Sequence, residues 1–204
     1  MSTYLQYNNH MILHPTDRTK YFYGIAGDPP EPPGPTFDEV TIGSQTWMAK
    51  NLSIDDGQGG IITQIVNYGE VSVTEYYYTW NAAVRVAASI DGWHLPTMNE
   101  WNTLITTVDG HSVASDSVAG SKLKSTYGWY NGGNGTDNYG FTALPTGKHV
   151  DDGFENANIN TNFWSATPHS PTSSESVEMT YYLQRVDLGQ DDNEWMLSVR
   201  LVKD

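Results

Sequence analysis

The chain of 204 residues contains no cysteine. Disulfide bonds, zinc–thiolate sites and cysteine nucleophiles are therefore excluded. Basic residues are scarce as well, because 10 Lys and Arg stand against 24 Asp and Glu, which gives a formal net charge of −14. Nucleic acids and anionic membrane surfaces are bound through clustered Lys and Arg, so we expect neither as a partner.

Long apolar segments are also missing from the chain. No run approaches the roughly 20 residues of a transmembrane helix, so we expect no membrane insertion. The first residues, MSTYLQYNNHMILHPTDRTKYFYG, contain no basic segment followed by an apolar one, so we expect no standard secretory signal. The chain is rich instead in turn-forming and aromatic residues, with 19 Gly, 13 Tyr and 7 Trp. This composition is typical of a domain built from strands and loops.

A proline-rich segment divides the chain into three parts. Residues 27–35, GDPPEPPGP, contain five prolines in nine positions, which predicts an extended and stiff spacer. Before it, we predict a short β-hairpin in which TYLQY and KYFYGIAG pair across NNHMILHPTDRT. An isolated hairpin is marginally stable in water, so this arm needs a partner surface. We assign an N-terminal assembly arm to residues 1–27, a linker to 28–35 and the main domain to 36–204.

Two helices are predicted in the main domain. The first begins near Trp80 in TWNAAVRVAASI, which lacks Gly and Pro. Its predicted buried face consists of Ala83, Val84, Ala87 and Ala88. The second begins at Thr97, because Glu100 follows at the spacing of a capping box. Its predicted buried face consists of Trp101, Leu104, Ile105 and Val108.

Short strands are predicted on both sides of these helices. They lie around the turn Gly43-Ser44 and in TNFWSAT, TYYLQRVDL and WMLSVRLV, while GGIITQIVNYGEVSVTEYYYTW is either strands or an ordered loop. The stretch YGWYNGGNGTDNYGFTALPTG combines turn residues with aromatics and predicts an ordered loop. We therefore predict an α+β domain with two helices, short antiparallel strands and long ordered loops.

Few patterns in the chain point to catalysis or to a cofactor. His94 in GWHLPTMNEW has no second His at helical spacing, so we interpret it as a hydrogen-bonded side chain at a structural corner. The pairs Asp55-Asp56, Asp151-Asp152 and Asp191-Asp192 are either solvated turns or carboxylates for calcium, although no Asp-x-Asp-x-Asp-Gly loop accompanies them. No phosphate loop and no Gly-x-Ser-x-Gly elbow is present, so we expect no cofactor and no catalytic residues.

Seven stretches of residues 36–204 carry a family resemblance. In order, they are VTIGSQTWMAKNL, YYYTWNAA, GWHLPTMNEW, AGSKLKS, GTDNYGFTALPTG, FWSAT and LSVRLVKD. This order resembles the Fibrobacter succinogenes major paralogous domain family. The resemblance implies a C-type lectin-like fold related to formylglycine-generating-enzyme-like domains. The paired cysteines of those enzymes are missing, and so is the Trp-Asn-Asp motif of calcium-dependent lectins, so neither chemistry is implied.

The resemblance also implies where a ligand binds. Target proteins of diversity-generating retroelements, among them phage receptor-binding and bacterial surface proteins, use the same fold and vary in the C-terminal stretch. The matching segment is about Ser165 to Trp195, which is rich in polar and aromatic residues suited to a binding surface. The implied contacts are His169, Thr172, Ser173, Glu175, Tyr181, Tyr182, Gln184, Asp187, Asp191, Asp192 and Asn193. Strand alternation should turn Tyr181 or Tyr182 inward, and Trp164, Val199 and Leu201 should be buried. The alternative is a solvated loop without diversification.

These implications describe a non-enzymatic, receptor-binding or adhesin-like protein of phage or prophage origin. Its partner would be a protein or glycan on a bacterial cell surface. It would be made in the cytoplasm and placed on a virion or cell surface, with residues 1–35 attaching it to the virion or forming a homo-oligomer such as a trimer. Two alternatives stay open: an enzyme of the formylglycine-generating-enzyme-like group without cysteine chemistry, and a structural decoration domain.

Overall fold

The computed structural model describes residues 4–7, 10–13, 35–110, 116–151 and 153–204, and its internal contacts group the chain into two units, Met1–Gly34 and Pro35–Asp204. In the first unit, β1 (Tyr4–Tyr7) pairs antiparallel with β2 (His10–Leu13). The predicted hairpin is wrong here, because β1 pairs with residues assigned to the connection. A partner nearer in sequence costs less loop-closure entropy. The predicted second strand, residues 20–27, lies outside the described residues.

Two antiparallel hairpins open the second unit. β3 (Glu39–Ile42) and β4 (Gln45–Met48) pair around Gly43, whose φ of 62° belongs to a tight turn, and this confirms the predicted strands. β5 (Ile61–Tyr68) and β6 (Val71–Tyr78) pair along their whole length. The stretch GGIITQIVNYGEVSVTEYYYTW, for which the sequence allows either strands or an ordered loop, therefore forms a long hairpin.

Helix α1 (Trp80–Ala87) confirms the first predicted helix, and its N-cap Thr79 accepts a hydrogen bond from the backbone N–H of Ala82. Its buried residues are Ala82, Ala83, Val86 and Ala87. The predicted buried face is wrong at Val84 and Ala88, which are exposed. Alanine is small and only weakly apolar, so a run of Ala and Val does not determine which face of a helix packs inward.

After β7 (Trp93–His94), helix α2 (Met98–Asp109) begins where the sequence predicts. The capping box is present: Thr97 Oγ1 accepts a hydrogen bond from Glu100 N at 3.3 Å, and a Glu100 carboxylate oxygen accepts one from Thr97 N at 2.7 Å. Gly110 ends the helix with a φ of 87°. The predicted buried face is confirmed at all four positions.

A third helix, α3 (Ala119–Leu123), was not predicted, because five residues are too few to show helical periodicity. Backbone contact with the segment around Gln184 holds it, since Ser121 N donates to the carbonyl of Gln184 at 2.8 Å. A short 3₁₀ turn follows at Tyr130–Gly132. Next, β8 (Lys148–Val150) and β9 (Gly153–Glu155) form a small hairpin.

The C-terminal part forms a three-stranded antiparallel sheet. In spatial order its strands are β10 (Asn160–Pro168), β11 (Ser173–Thr180) and β12 (Asp187–Asp192). The predicted strand TYYLQRVDL is wrong, because β11 ends at Thr180 and a turn follows. The buried Lys124 ammonium stabilises this turn by donating to the carbonyls of Thr180 and Leu183, both at 2.9 Å.

The closing segment, residues 196–203, connects several elements. It forms separate bridges to Tyr78, His149 and Phe163 before β13 (Val202–Lys203) pairs with β4 and β7. The predicted continuous strand WMLSVRLV is therefore only partly confirmed. The predicted burial of Trp164, Val199 and Leu201 is confirmed, since all three are fully buried.

Two apolar clusters form the core of the second unit. The cluster at α2 contains the ring contacts of Trp101 with Trp47 (4.7 Å between centroids) and Phe163 (5.6 Å). The cluster at α1 includes Tyr78 and Trp164. The described part of the chain is thus a mixed α+β structure with three α-helices and antiparallel strands. None of its helices has the length and apolarity that spanning a membrane requires.

The histidine of the predicted corner bonds to two carboxylates. His94 Nε2 lies 2.7 Å from Glu100 Oε1, and Nδ1 lies 2.6 Å from Asp204 Oδ1. Partial burial lowers the pKa of His94, but the hydrogen bonds to both carboxylates raise it by more, so the net shift is upward. Because Glu100 also caps α2, this geometry supports the interpretation of the corner as structural.

We predict that Thr97→Ala destabilises the protein by about 1 kcal/mol, because the N-cap hydrogen bond is lost. Urea unfolding followed by circular dichroism measures this change. Thr106→Ala is the matched control, since it removes an exposed hydroxyl from the same helix and should not destabilise the fold. An unchanged unfolding midpoint for Thr97→Ala would show that the cap contributes nothing.

Candidate ligand-binding pocket

A cavity of about 470 Å³ opens between residues 49–53 and β6, and we call it the Arg200 pocket. Its volume lies within the roughly 300–1,000 Å³ of sites that bind small molecules or ligand segments. It is lined by Ala49, Lys50, Asn51, Leu52, Ser53, Val73, Thr74, Glu75, Tyr76, Tyr127, Thr142, Leu144 and Arg200.

The pocket exists because the closing segment changes its pairing partner. Leu197 and Tyr78 exchange backbone hydrogen bonds of 2.9 and 3.0 Å at the end of β6. Two residues later, the carbonyl of Val199 accepts a hydrogen bond from Leu52 N at 2.8 Å. The closing segment thus leaves β6 and joins residues 49–53. The space between these two neighbours is the pocket.

The floor of the pocket contains Arg200, which is 1% exposed. Its Nη1 donates to the carbonyls of Met48 and Phe141, while Nε and Nη2 donate to Asn51 Oδ1 at 3.2 and 2.6 Å. The guanidinium also lies 4.4 Å from the centroid of the Phe141 ring. Burial lowers the pKa of Arg200 to about 9, so the group stays positively charged at neutral pH.

Glu75 lies on the same floor and is 4% exposed. Its two carboxyl oxygens accept hydrogen bonds from the Tyr68 hydroxyl at 3.0 Å and from Asn51 Nδ2 at 3.2 Å. The Asn51 amide therefore bridges the carboxyl group to the guanidinium of Arg200. Burial raises the pKa of Glu75, and the two hydrogen bonds and the charge of Arg200 oppose this shift only in part. Glu75 also lines the pocket, so a ligand bound there would lie beside this carboxyl group.

One wall of the pocket has a strained backbone. Thr142 has a φ of 50°, in the left-handed region that β-branched residues rarely adopt. Asp137 holds it there by accepting hydrogen bonds from Thr142 N at 2.8 Å and from Thr142 Oγ1 at 2.7 Å. Strain of this kind, about 1–3 kcal/mol, is concentrated at functional sites and ligand clamps.

The rim of the pocket is polar and aromatic. The Lys50 ammonium lies 2.6 Å from a carboxylate oxygen of Asp38, and the Tyr127 side chain is 38% exposed. Among the described lining residues, Glu75 is the single carboxylate and none is a histidine. Over the described part of the chain, no three His, Asp or Glu side chains are grouped in a way that could hold a metal ion.

The structure does not bring the eleven predicted contact residues together. His169, Thr172, Ser173, Glu175, Asp191, Asp192 and Asn193 lie where β11 begins and β12 ends. Tyr181, Tyr182, Gln184 and Asp187 lie at the opposite end of the same strands. The eight residues of β11 rise about 3.4 Å each, so the two ends of this strand, where most members of the two groups lie, are roughly 24 Å apart.

Several residues of the first group stabilise the sheet. Asp191 is buried, where it accepts hydrogen bonds from Lys148 Nζ at 3.0 Å and from the hydroxyl of Ser176. Asn193 accepts a hydrogen bond from the hydroxyl of Ser174. His169 and Glu175 remain accessible, and with Met98, Leu188, Gly189 and Gln190 they line a shallow depression of about 330 Å³.

Two residues of the second group, Tyr181 and Tyr182, form an aromatic surface together with Tyr130. We call these three residues the tyrosine cluster. Tyr181 packs against the core and meets Tyr130 and Tyr182 edge to face, with centroids 5.3 and 5.1 Å apart. Tyr182 is 66% exposed. The expectation that one of the two adjacent tyrosines packs inward is confirmed. Asp187 pairs with Arg185 at 2.6 Å.

Sequence reasoning missed Asn51, Glu75 and Arg200. Arg200 stands between Val199 and Leu201 in an apolar segment, and Glu75 precedes three tyrosines. A charged residue inside a run of buried residues is a recognisable pattern, because an isolated buried charge is costly and must find partners. That pattern identifies the residues but not the partners.

Comparison with known proteins gives one match. Residues 40–203 match the family model described as Fibrobacter succinogenes major domain. No curated protein and no solved structure matches the chain. The matched range contains every residue that lines the Arg200 pocket.

We predict that Glu75→Gln changes how stability depends on pH. Because the folded-state pKa of Glu75 is raised above its ordinary value of 4.5, the stability due to this group is present below pH 4.5 and is lost as the pH rises through the folded pKa. The variant should therefore gain stability relative to the wild type as the pH rises above 4.5. Urea unfolding from acidic to slightly alkaline pH measures the difference.

Asp56→Asn is a control of opposite sign. Hydrogen bonding to Arg85 lowers the pKa of Asp56 below its ordinary value of 3.8, so its carboxylate stabilises the fold above that pH. The Asn variant should be less stable there, and its deficit should shrink as the pH falls. A pH-independent difference between Glu75→Gln and the wild type would contradict a raised pKa.

Proposed function

This chain belongs to the Fibrobacter succinogenes major domain family, and we propose that its main domain binds a ligand in the Arg200 pocket without catalysing a reaction. One observation carries the proposal: Glu75 and Arg200, bridged by Asn51, lie at the floor of an open pocket. Burying ionisable groups is costly, and perturbed groups in a cleft are a common property of functional sites. The strained Thr142 in the same pocket adds support.

The chemistry of the lining supports binding without turnover. Glycoside hydrolysis uses two carboxyl groups on opposite sides of the bond, and Glu75 is the single carboxylate among the described lining residues. Activation of a serine or threonine hydroxyl needs a base within hydrogen-bond reach, and the Glu75 carboxyl accepts instead from the Tyr68 hydroxyl and the Asn51 amide. The polar groups of the floor suit hydrogen bonding to a ligand instead.

We further propose that the ligand is a protein or glycan of a bacterial cell surface, which makes the function receptor-binding or adhesin-like. The family resemblance motivates this step. The net charge of −14 argues against strongly anionic polymers as ligands. The finer assignment of the fold as C-type lectin-like is also a proposal, supported by small antiparallel sheets, long ordered loops and helices α1 and α2.

The tyrosine cluster is a second candidate surface for the same function. Tyrosine supplies a large contact area and a hydroxyl at low entropic cost, and Tyr182 is accessible. Lys124 makes the turn that carries Tyr182 rigid through two carbonyl hydrogen bonds. Sequencing of the flanking DNA tests whether this C-terminal segment is diversified. A diversified segment would have a near-repeat of its codons, differing mainly at adenines, beside a reverse transcriptase gene.

We predict that Tyr127→Ala weakens attachment to bacterial cells by at least about tenfold, because truncating a tyrosine at a binding hot spot costs about 2 kcal/mol. Fluorescently labelled protein and a panel of bacterial strains, read by flow cytometry, provide the measurement. Tyr182→Ala is the matched variant in the tyrosine cluster and should keep attachment. Each variant loses one edge-to-face ring contact, Tyr127 with Tyr68 or Tyr182 with Tyr181, so attachment is measured well below both melting temperatures. Attachment lost in Tyr182→Ala but kept in Tyr127→Ala would move the site to the tyrosine cluster.

We also predict that the pure protein turns over neither glycosides nor a thiol-containing peptide. Chromogenic p-nitrophenyl glycosides and a cysteine-containing peptide, monitored by absorbance and mass spectrometry, test this. Glu75→Gln serves as the reference, because it removes the single described carboxylate of the pocket. Product formed by the wild type and abolished in Glu75→Gln would establish an enzyme.

A further inference from the structure

In the described part of the chain, the backbone of β6 has an edge that is paired at Tyr78 and unpaired at Thr74 and Tyr76. In an antiparallel pair, every second residue directs its N–H and C=O away from the partner strand. Tyr78 does so, because it exchanges both hydrogen bonds with Leu197, on the side opposite β5. By the same alternation, Thr74 and Tyr76 direct theirs to this side, and the described structure gives these groups no hydrogen-bond partner.

This edge faces the Arg200 pocket. A strand that lines a cavity with one of its faces contributes every second residue. Here four consecutive residues, 73–76, line the pocket, as expected when the edge of the strand faces the cavity. None of the described lining residues belongs to β5, the strand next to β6 in the same sheet. The pocket therefore runs along the edge of β6, with residues 49–53 on its other side.

We propose that this edge binds an extended peptide segment of a protein ligand, which adds a strand by pairing with Thr74 and Tyr76. The inference rests on the proposed function and names its ligand class. The outward groups repeat every second residue, about 6.8 Å, which is the repeat of a peptide backbone and not of saccharide hydroxyls. Unpaired strand edges bind peptides in this way.

The pocket adds selectivity to this edge. An acidic side chain of the ligand would lie near Glu75, and a basic one would lie near Arg200. A neutral side chain with a donor and an acceptor, such as an amide or a hydroxyl, suits both groups. No residue of β5 lines the Arg200 pocket among the described lining residues, and Ile65 on the opposite edge of the hairpin is 65% exposed.

The test begins with two pools of probes. The full chain is immobilised and incubated with randomised, end-blocked octapeptides that lack Pro and Cys, and separately with neutral oligosaccharides of the cello, malto and xylo series. Mass spectrometry identifies what is retained. We expect retained peptides and no retained oligosaccharides. Fluorescence anisotropy then gives the affinity of the best peptide.

A matched pair of variants tests the edge. Thr74 and Ile65 are cross-strand partners, and each directs its N–H out of the hairpin, in opposite directions. Proline at either position removes only that outward donor, so the ladder between the strands is kept. Thr74→Pro should weaken peptide binding at least about tenfold through lost backbone pairing, while Ile65→Pro should leave it unchanged. Melting temperatures report on the folding of both.

Single N-methylation along the peptide provides a readout that needs no variant of the protein. Strand pairing predicts that methylating every second amide abolishes binding, while the intervening amides tolerate it. Strand addition is overturned if the effect of N-methylation on binding does not alternate along the peptide. It is also overturned if Thr74→Pro and Ile65→Pro weaken peptide binding equally. If the wild type retains oligosaccharides that Glu75→Gln does not, and neither retains peptides, the inference fails and the proposed function stands. If neither pool is retained, both fail.

Discussion

The buried guanidinium of Arg200 is the interaction on which the second unit depends. It donates to the carbonyls of Met48 in the first hairpin and Phe141 in the long loop, and to the side chain of Asn51. Breaking a buried, paired charge by removing its partners costs several kcal/mol, so these segments are held at fixed distances from the closing segment. Arg200 also packs over the rings of Phe141 and Phe163, which joins the polar floor to the apolar core.

The same interaction keeps the pocket open. Asn51 is bound on one side by Arg200 and on the other by Glu75, so residues 49–53 face β6 through side chains rather than through backbone pairing. In the described part of the chain, the edge of β6 at Thr74 and Tyr76 is therefore left without a partner strand, although proteins usually cover or charge such edges to prevent association. Here Tyr127 and Lys50 stand at the rim and narrow the access. A single extended chain suits this opening better than a second sheet does.

The C-terminal segment shows that residue types favoured in binding surfaces also have structural roles. Ser, Asp and Asn are favoured in binding loops, but they are equally favoured in turns, where their side chains bond to nearby backbone groups. Asp192 does this by accepting a hydrogen bond from Glu194 N, and Ser170 does it with Ser173 N. The length of β11 then separates the accessible residues into two groups. The family resemblance alone could not show this division.

The sequence by itself determined the features that depend on neighbours within one turn or hairpin. The capping box at Thr97, the buried face of α2 and the turn at Gly43 follow from side chains at most a few residues apart, and the ordered motifs identified the family. Only the tertiary structure decided the phase of α1, the turn after Thr180 and the pocket. Arg200 and Asn51 are 149 positions apart, and Asn51 and Glu75 are 24 apart. Contacts at such separations depend on which elements pack together, and packing is a property of the whole fold rather than of any local pattern.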